Sequence, residues 1–277
     1  MVKLCIYLCV LGLFNVCHGE VTYRKNHLSH LSADEFKRLY LATYLEFDYN
    51  DHHTVDNKDA IKHIPESLDW RHTHMVNPVK NQGHCGSCWA FAIVAAIENS
   101  VAINSGVLLQ LSEQQFVDCD KYDYGCNGGS MNGGILYSKK NLICSEQQYP
   151  YTAVTGNCTK CNNGTKTGVL VKKSYYYDNV DKMLQGIQKG VLLAHIDATY
   201  LQHYGSGIID DSVQCNKNLN HAVAIVGYGV ENGIKYWTVR NSWSSTWGED
   251  GYFRIQRGVN KCGIEQYTYG IDAKQLL

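Results

Sequence analysis

Gln82-Gly83-His84-Cys85-Gly86-Ser87-Cys88-Trp89-Ala90-Phe91-Ala92 is the stretch on which the reading of this chain turns. Glycines and polar residues give way at Cys88 to a run, reaching Asn104, that is rich in alanine and apolar at helical spacing, as Trp89, Ala92, Ala96 and Ile103 show. The spacing predicts a buried helix with Cys88 in its first turn. A thiol attacks an amide only as the thiolate, and an ordinary cysteine, with a pKa of about 8.5, is mostly protonated at neutral or acid pH. The positive end of a helix favours the anion, and a histidine can hold the proton as an imidazolium. Cys88 is therefore a candidate nucleophile.

Working outward, His221 opens a β-branched apolar run to Tyr228, a rigid mount for a base. Glu231-Asn232-Gly233 reads as a hairpin turn, and Ile234 to Asn241 and Tyr252 to Arg257 as strands. The side-chain oxygen of Asn241 can accept a bond from the imidazole and fix its tautomer and plane, with Trp243 shielding the pair from water. Gln82 offers an amide NH2 beside the Cys88 backbone N–H, a pair of donors suited to a developing oxyanion. Singly, each residue has an ordinary structural reading: a disulfide half, a satisfied core histidine, a turn asparagine, a surface amide. Their joint occurrence points to nucleophilic catalysis.

The cysteine count points the same way. Of 12 cysteines, Cys5, Cys9 and Cys17 fall in a first segment built from Lys3, an apolar run Leu4 to Val16, and Cys17-His18-Gly19. Residues 1–19 read as a signal peptide, because a membrane span needs roughly 20 apolar residues. No other stretch reads as a span, so the expected product is soluble, in an oxidising compartment. The remaining nine cysteines are odd in number, which leaves one thiol unpaired and a candidate for reactivity. The sequons Asn157-Cys158-Thr159 and Asn163-Gly164-Thr165 fit the secretory route. Lysine and arginine, 25, nearly balance aspartate and glutamate, 26, so there is no basic field for nucleic acid.

Residues 20–63 are polar and hold five of the 12 histidines: His27, His30, His52, His53 and His63. Ser32 and Glu35 predict a capping box, with Leu31 and Phe36 as its staple. Glu46 to Lys62, rich in Asp, Asn and His, reads as an extended linker open to cleavage. From Ile64 the texture is globular. Leu111-Ser112-Glu113-Gln114-Gln115-Phe116 predicts a second box and staple. A helical half thus precedes a sheet-rich half, and a site made of Cys88 and His221 lies between them. Two other chemistries fit the cysteines alone: Cys85-x2-Cys88 with Cys158-x2-Cys161 as a zinc site, or the first pair as a redox centre.

Gln82 to Trp89 resembles the signature of the papain and cathepsin L family, which sets a His and an Asn roughly 130 to 150 residues downstream; here the lags are 133 and 153. Cys126-Asn127-Gly128-Gly129, His221-Ala222-Val223, Asn241-Ser242-Trp243 and Trp247-Gly248 resemble the family's later blocks. The resemblance implies an α+β, two-lobed fold over residues 64–277, with an N-terminal helical lobe, a C-terminal β-barrel-like lobe and the cleft between them. It implies a cysteine endopeptidase acting through a thioester acyl-enzyme, with Gln82, Cys88, His221 and Asn241 catalytic and no cofactor or metal. None of the four catalytic positions is substituted, which weighs against a non-catalytic binding module of the same fold.

The resemblance also implies disulfides Cys85–Cys126, Cys119–Cys158 and Cys215–Cys262, leaving Cys144 and Cys161 as a fourth pair and Cys88 free. It assigns substrate contacts to Gly86, Gly128, Gly129, Asn220 and Trp243. Ser130, Met131, His195, Leu219, Ala222 and Tyr267 would line the pocket for the residue preceding the scissile one, with Tyr267 as its floor. Such a pocket favours small or medium aliphatic side chains and disfavours Arg, the more so were His195 protonated. No insertion interrupts Cys126 to Asn141, so the cleft is expected to be open at both ends. The implied partners are peptide and protein substrates, cystatin-type inhibitors and the chain's own prosegment, the enzyme being a monomer bound to neither nucleic acid nor membrane. The prosegment, 20–63, is short for the family: only Asn26-x-Leu28 through Asp34-Glu35-Phe36 resembles its later part, with His30 where Asp is usual. Protonation of His30, expected to be packed against the catalytic domain, would loosen it in a secreted or lysosome-like acidic compartment.

Overall fold

The computed structural model describes residues 21–42, 50–54, 63–161 and 168–276. The signal-peptide reading and the Asn163 sequon lie outside the described residues. A first strand, β1 (Thr22–Tyr23), is followed by helix α1 (Ala33–Tyr40) and by strands β2 (His53–Thr54) and β3 (Leu68–Asp69). Helices α2 (Cys88–Ser105), α3 (Glu113–Cys119) and α4 (Met131–Lys140) build one lobe. The other lobe holds β4 (Gly168–Tyr177), α5 (Val180–Ile187), β5 (Leu192–Ile196), β6 (Tyr204–Ser206) and β7 (Ile208–Ile209). It is completed by β8 (His221–Glu231), β9 (Ile234–Arg240), β10 (Tyr252–Gln256) and β11 (Thr268–Leu276). Its sheet runs β2-β4-β11-β5-β8-β9-β10-β7, with β3 added on β8.

Helix α2 is the spine. Ile93, Val94 and Ile97 on it are fully buried against Phe116 of α3, Ile135 of α4 and Val226 of β8. By length and composition α2 could cross a membrane, contrary to the expectation from sequence, but 83% of it is buried inside the protein, as a core helix should be. A second core fills the sheet lobe around Trp237, Phe253 and Ile225, and Leu28, Phe36 and Tyr40 of the N-terminal segment join it. Burying each such side chain is worth about 1.5–3 kcal/mol, against about 0.5–1.5 for a hydrogen bond. Apolar contact therefore holds residues 21–42 down, and polar contacts set their register.

The Ser32–Glu35 capping box forms as its spacing predicts. The Ser112 box forms only by half. Ser112 Oγ accepts from Gln115 N at 3.0 Å, but the Gln115 side chain turns away, accepting from Cys144 N at 2.8 Å and donating to the Leu142 carbonyl at 2.9 Å. Of the extended linker expected over Glu46 to Lys62, residues 46–49 and 55–62 lie outside the described residues, and residues 53–54 form β2, parallel to β4.

Between α2 and α3, Lys80 Nζ reaches Glu98 at 3.1 Å, Glu113 at 2.7 Å and the Leu111 carbonyl at 3.1 Å. Both side chains are 2% exposed, and burial raises the Glu113 pKa to about 8 with Lys80 opposing the rise. Removing one partner of a buried ion pair costs about 3–5 kcal/mol. Lys80→Ala should lose about that much stability in a denaturant titration, whereas a loss under about 1 kcal/mol would show the cluster to be solvated.

Candidate active site

Lys80-Asn81-Gln82 lies antiparallel to Ser242-Trp243-Ser244: Gln82 N–H donates to the Ser242 carbonyl at 2.8 Å, Ser244 N–H to Lys80 at 3.1 Å, and Asn81 pairs with Trp243. This short bridge joins the lobes. Arg240 at the end of β9 reinforces it by donating to the carbonyls of Asn77, at 2.5 Å, and Pro78, at 2.7 Å. Gln82 is thereby buried beside Asn241 although 159 positions apart in sequence.

Cys88 is the first residue of α2 and the one free cysteine among the described residues. Disulfides join Cys85 to Cys126, Cys119 to Cys158, Cys144 to Cys161 and Cys215 to Cys262. These bonds consume the thiols that a zinc or redox reading of the Cys-x2-Cys pairs requires. The Cys85–Cys126 bond ties the loop before α2 to Gly128-Gly129, and Gly86 N–H donates to the Cys126 carbonyl at 2.8 Å. A side chain at Gly86 would meet that carbonyl at 2.7 Å, and one at Gly129 would meet the Trp89 ring at 2.6 Å, so both approaches require glycine.

His221 and Asn241 stand at the facing ends of β8 and β9. Asn241 Oδ1 accepts from the Ser242 backbone N–H at 2.8 Å and lies 2.8 Å from His221 Nε2. The Ser242 N–H fixes Oδ1 as an acceptor, so His221 Nε2 carries the proton and Nδ1 presents its lone pair. His221 Nδ1 has no hydrogen-bond partner among the described residues. The residue after His221, Ala222, donates its N–H to Cys88 Sγ at 3.4 Å, which sets the base next to the sulfur. Trp243 packs on the imidazole, ring centroids 4.6 Å apart, as a cover against water.

Gln82 Nε2 donates to the Cys85 carbonyl at 2.9 Å and to the Tyr40 carbonyl at 3.1 Å, while its Oε1 accepts from Ser242 Oγ at 2.6 Å. Ser242 thus orients both the glutamine and, through its N–H, the asparagine. A second orienter is Tyr151, whose hydroxyl donates to the Gln82 carbonyl at 2.7 Å and lies 2.6 Å from Ser87 Oγ. Sequence reasoning missed both. Ser242 is flagged only by adjacency to Asn241, and Tyr151 by nothing in the chain.

The N-terminal segment covers the centre. Besides Tyr40 on Gln82, Ala42 N–H donates to the Asn220 carbonyl at 2.8 Å, and Phe36 packs edge-on against Trp243 at 5.2 Å. Burial pushes the Cys88 thiol up to about 11 and His221 down to about 4, the Asn241 bond opposing the latter. In this covered state thiol and imidazole are both neutral.

Of the expected pocket residues, Met131, Ala222 and Tyr267 share one apolar cluster, beside buried Ser130. Ser130 caps α4 by accepting from Gly133 N–H. His195 is buried on β5 opposite Ala222, whereas Leu219 and Asn220 are half-buried. Burial, helped by the neighbouring His221, lowers the His195 pKa to about 3. Burial thus favours the neutral His195 imidazole, so its protonation is not what disfavours cations in the pocket. His30 is exposed, so charging it carries no burial cost and it is not the packed histidine expected. That description fits His52: Ser174 Oγ lies 2.8 Å from its Nδ1 and Asn132 Oδ1 2.9 Å from its Nε2. Asn157 is exposed, as a glycan acceptor must be.

The family model described as papain family cysteine protease matches residues 64–271. The chain is 39% identical over 275 residues to germination-specific cysteine protease 1 of Arabidopsis thaliana, covering 92% of this chain and 72% of that protein. Among solved structures, the digestive procathepsin L2 proteinase of Tenebrio molitor larval midgut superposes with a TM-score of 0.81 at 35% identity, over 91% of this chain and 84% of the other. The recombinant stem bromelain precursor gives 0.80 at 35% identity, over 91% and 83%. The chain belongs to the papain family of cysteine proteases and is a papain-like cysteine peptidase.

Proposed function

We propose that residues 64–277 form an endopeptidase in which Cys88 attacks the peptide carbonyl and His221 Nδ1 takes the thiol proton. The carbonyl oxygen becomes an oxyanion held by Gln82 Nε2–H and the Cys88 backbone N–H. Collapse breaks the C–N bond, His221 returns the proton to the leaving amine, and a thioester remains on Cys88. Water, deprotonated by His221, then hydrolyses the thioester and restores the thiol. The observation that carries this reading is the shared Asn241 Oδ1, which leaves the lone pair on His221 Nδ1, in the residue preceding Ala222, whose N–H donates to Cys88 Sγ. Helix α4 begins directly after Ser130, with no inserted loop from Cys126 to Asn141 to close the cleft, which supports cleavage within chains.

Residues 20–63 act in this reading as an inhibitory prosegment, removed near Ile64 from a glycosylated precursor that enters the secretory route through residues 1–19. Its support is the occupation of Gln82 and Asn220 by Tyr40 and Ala42, and the proform nature of similar solved structures. The destination is a secreted or lysosome-like acidic compartment, and cystatin-type proteins are the expected inhibitors of the monomeric enzyme.

Three outcomes test this. The processed chain should be labelled at Cys88 by an epoxide probe and should hydrolyse denatured protein internally, and Cys88→Ala should lose both. The precursor should react slowly, since a thiol near 11 leaves about one molecule in ten thousand ionised at pH 7; equally fast alkylation of precursor and processed enzyme would contradict the covered, neutral site.

A dipeptidyl fluorogenic library should show aliphatic side chains preferred at the position before the scissile residue, because neutral His195 and Tyr267 offer no carboxylate to a buried guanidinium. A clear preference for Arg would remove the pocket assignment.

Prosegment affinity should fall with acid. The groups facing His52 are Asn132, Ser174, Asp51, Lys139 and the Tyr269 ring. Burial, the largest influence, lowers the His52 pKa; the Asn132 bond raises it, Lys139 lowers it and Asp51 raises it. A lowered docked pKa means that the contact is at full strength above the free value of about 6.5 and weakens as pH falls toward the docked value. Segment 20–63 added to the processed enzyme should inhibit less at pH 5 than at pH 7, and His52→Gln should reduce that difference; equal inhibition at both pH values would end this reading.

A further inference from the structure

The outer edge of β4 carries a polar and aromatic socket that the reaction described above does not use. Its inner edge pairs with β11 from Gly168 to Tyr177, while outside Val169 bridges Ile143 at one end and β2 pairs with Tyr175 and Tyr176 at the other. Around that short strand the protein supplies specific partners. Lys139 Nζ donates to the Asp51 carbonyl at 2.8 Å and to its carboxylate at 3.2 Å. Asn132 Oδ1 accepts from His52 Nε2–H, so His52 Nδ1 accepts from the Ser174 hydroxyl. The Tyr269 ring lies 4.9 Å from the His52 ring and Tyr175 lies 5.6 Å from His53. Lys139 has a side chain only 14% exposed, which limits the entropy it loses on pairing.

The socket continues the cleft. Asn132 follows Ser130 and Met131 in the chain, and Tyr176, whose ring lies tilted 5.5 Å from that of Tyr269, donates its hydroxyl to the Gln266 carbonyl beside Tyr267. The N-terminal segment passes from Gln82, at Tyr40, to Asn220, at Ala42, and then to the socket at residues 50–54. The eight peptide links from Ala42 to Asn50 reach at most about 29 Å. One extended polypeptide can therefore occupy the catalytic centre and the socket together.

We propose that, once residues 20–63 are removed, the β4 edge with Lys139, Asn132 and Ser174 is an exosite for extended polypeptide substrates, taking a stretch N-terminal to the scissile bond. This rests on the peptidase reading above. Main-chain bonds to Tyr175 and Tyr176 supply strand addition. A carboxylate on Lys139, followed by an imidazole or carboxamide between Asn132 and Ser174, supplies selectivity. Asp51-His52-His53-Thr54 is the built-in example of that chemistry.

The test uses the processed enzyme and three substrates: a dipeptidyl fluorogenic amide, a long peptide carrying Asp-His-His-Thr in either chain direction about eight to ten residues N-terminal to the scissile bond, and the same peptide with Asp and the first His replaced by Ala. The Asp-His peptide should show kcat/KM about five- to tenfold above its Ala counterpart, through KM with kcat unchanged, as expected for a charge-assisted bond and a strand contact. Lys139→Ala and Asn132→Ala should each erase most of that advantage and leave turnover of the dipeptidyl amide unchanged. Equal kcat/KM for the two long peptides, with normal turnover of the amide, overturns the exosite alone. Absence of turnover of all three substrates overturns the peptidase reading on which it stands.

Discussion

The short antiparallel bridge between Lys80–Gln82 and Ser242–Ser244 is the constraint on which the site depends. Cys88 and Gln82 come from one side of the join and His221 and Asn241 from the other, and this pairing, with the Arg240 clamp and the Ala222 N–H on Cys88 Sγ, fixes them across it. Ser242 concentrates the effect, since its hydroxyl holds Gln82 and its N–H holds Asn241. A shift at this residue would disturb the donor and the tautomer together. The Cys85–Cys126 bond performs the corresponding task for the opposite wall, anchoring the loop before α2 to Gly128-Gly129.

Burial governs the chemical state of the centre. A buried thiol and a buried imidazole both prefer neutrality, one by holding its proton and the other by losing it. The N-terminal segment lies over their neighbours, with Tyr40 on Gln82, Ala42 on Asn220 and Phe36 on Trp243. The same segment adds Leu28 and Phe36 to the sheet-lobe core, so its grip is mainly apolar and insensitive to acid. His52 and half-buried His27, whose pKa burial and His30 also lower, add the acid-sensitive part.

How much of this was legible in the chain follows from the range of each interaction. The α2 start at Cys88 and the Ser32 box are local patterns, and local spacing predicts them. Cys88, His221, Asn241 and Gln82 stand out in the chain by residue type and by the elements that carry them, and the structure brings them to the join between the lobes, while the comparisons with known proteases agree on the family. Ser242, Tyr151 and the His52 socket reach their partners through side chains across long sequence separations, which local spacing does not register. The Ser112 box misled because a tertiary acceptor and donor, Leu142 and Cys144, outbid a local contact for the Gln115 amide. His30 misled for the converse reason: apolar neighbours in sequence do not bury a side chain that points outward.

Tyr40 and Ala42 belong to the same chain as the groups they cover, and that fact has a kinetic meaning. A tethered segment meets its site at an effective concentration in the millimolar range, whatever the protein concentration. Cutting the chain alters none of the contacts with Gln82, Asn220 or Trp243, yet it turns their formation into a bimolecular event that dilution opposes. A single hydrolysis would therefore make occupancy of the cleft depend on how crowded the compartment is: enzyme released into a large volume would shed its cover, and enzyme confined in a small vesicle would keep it longer.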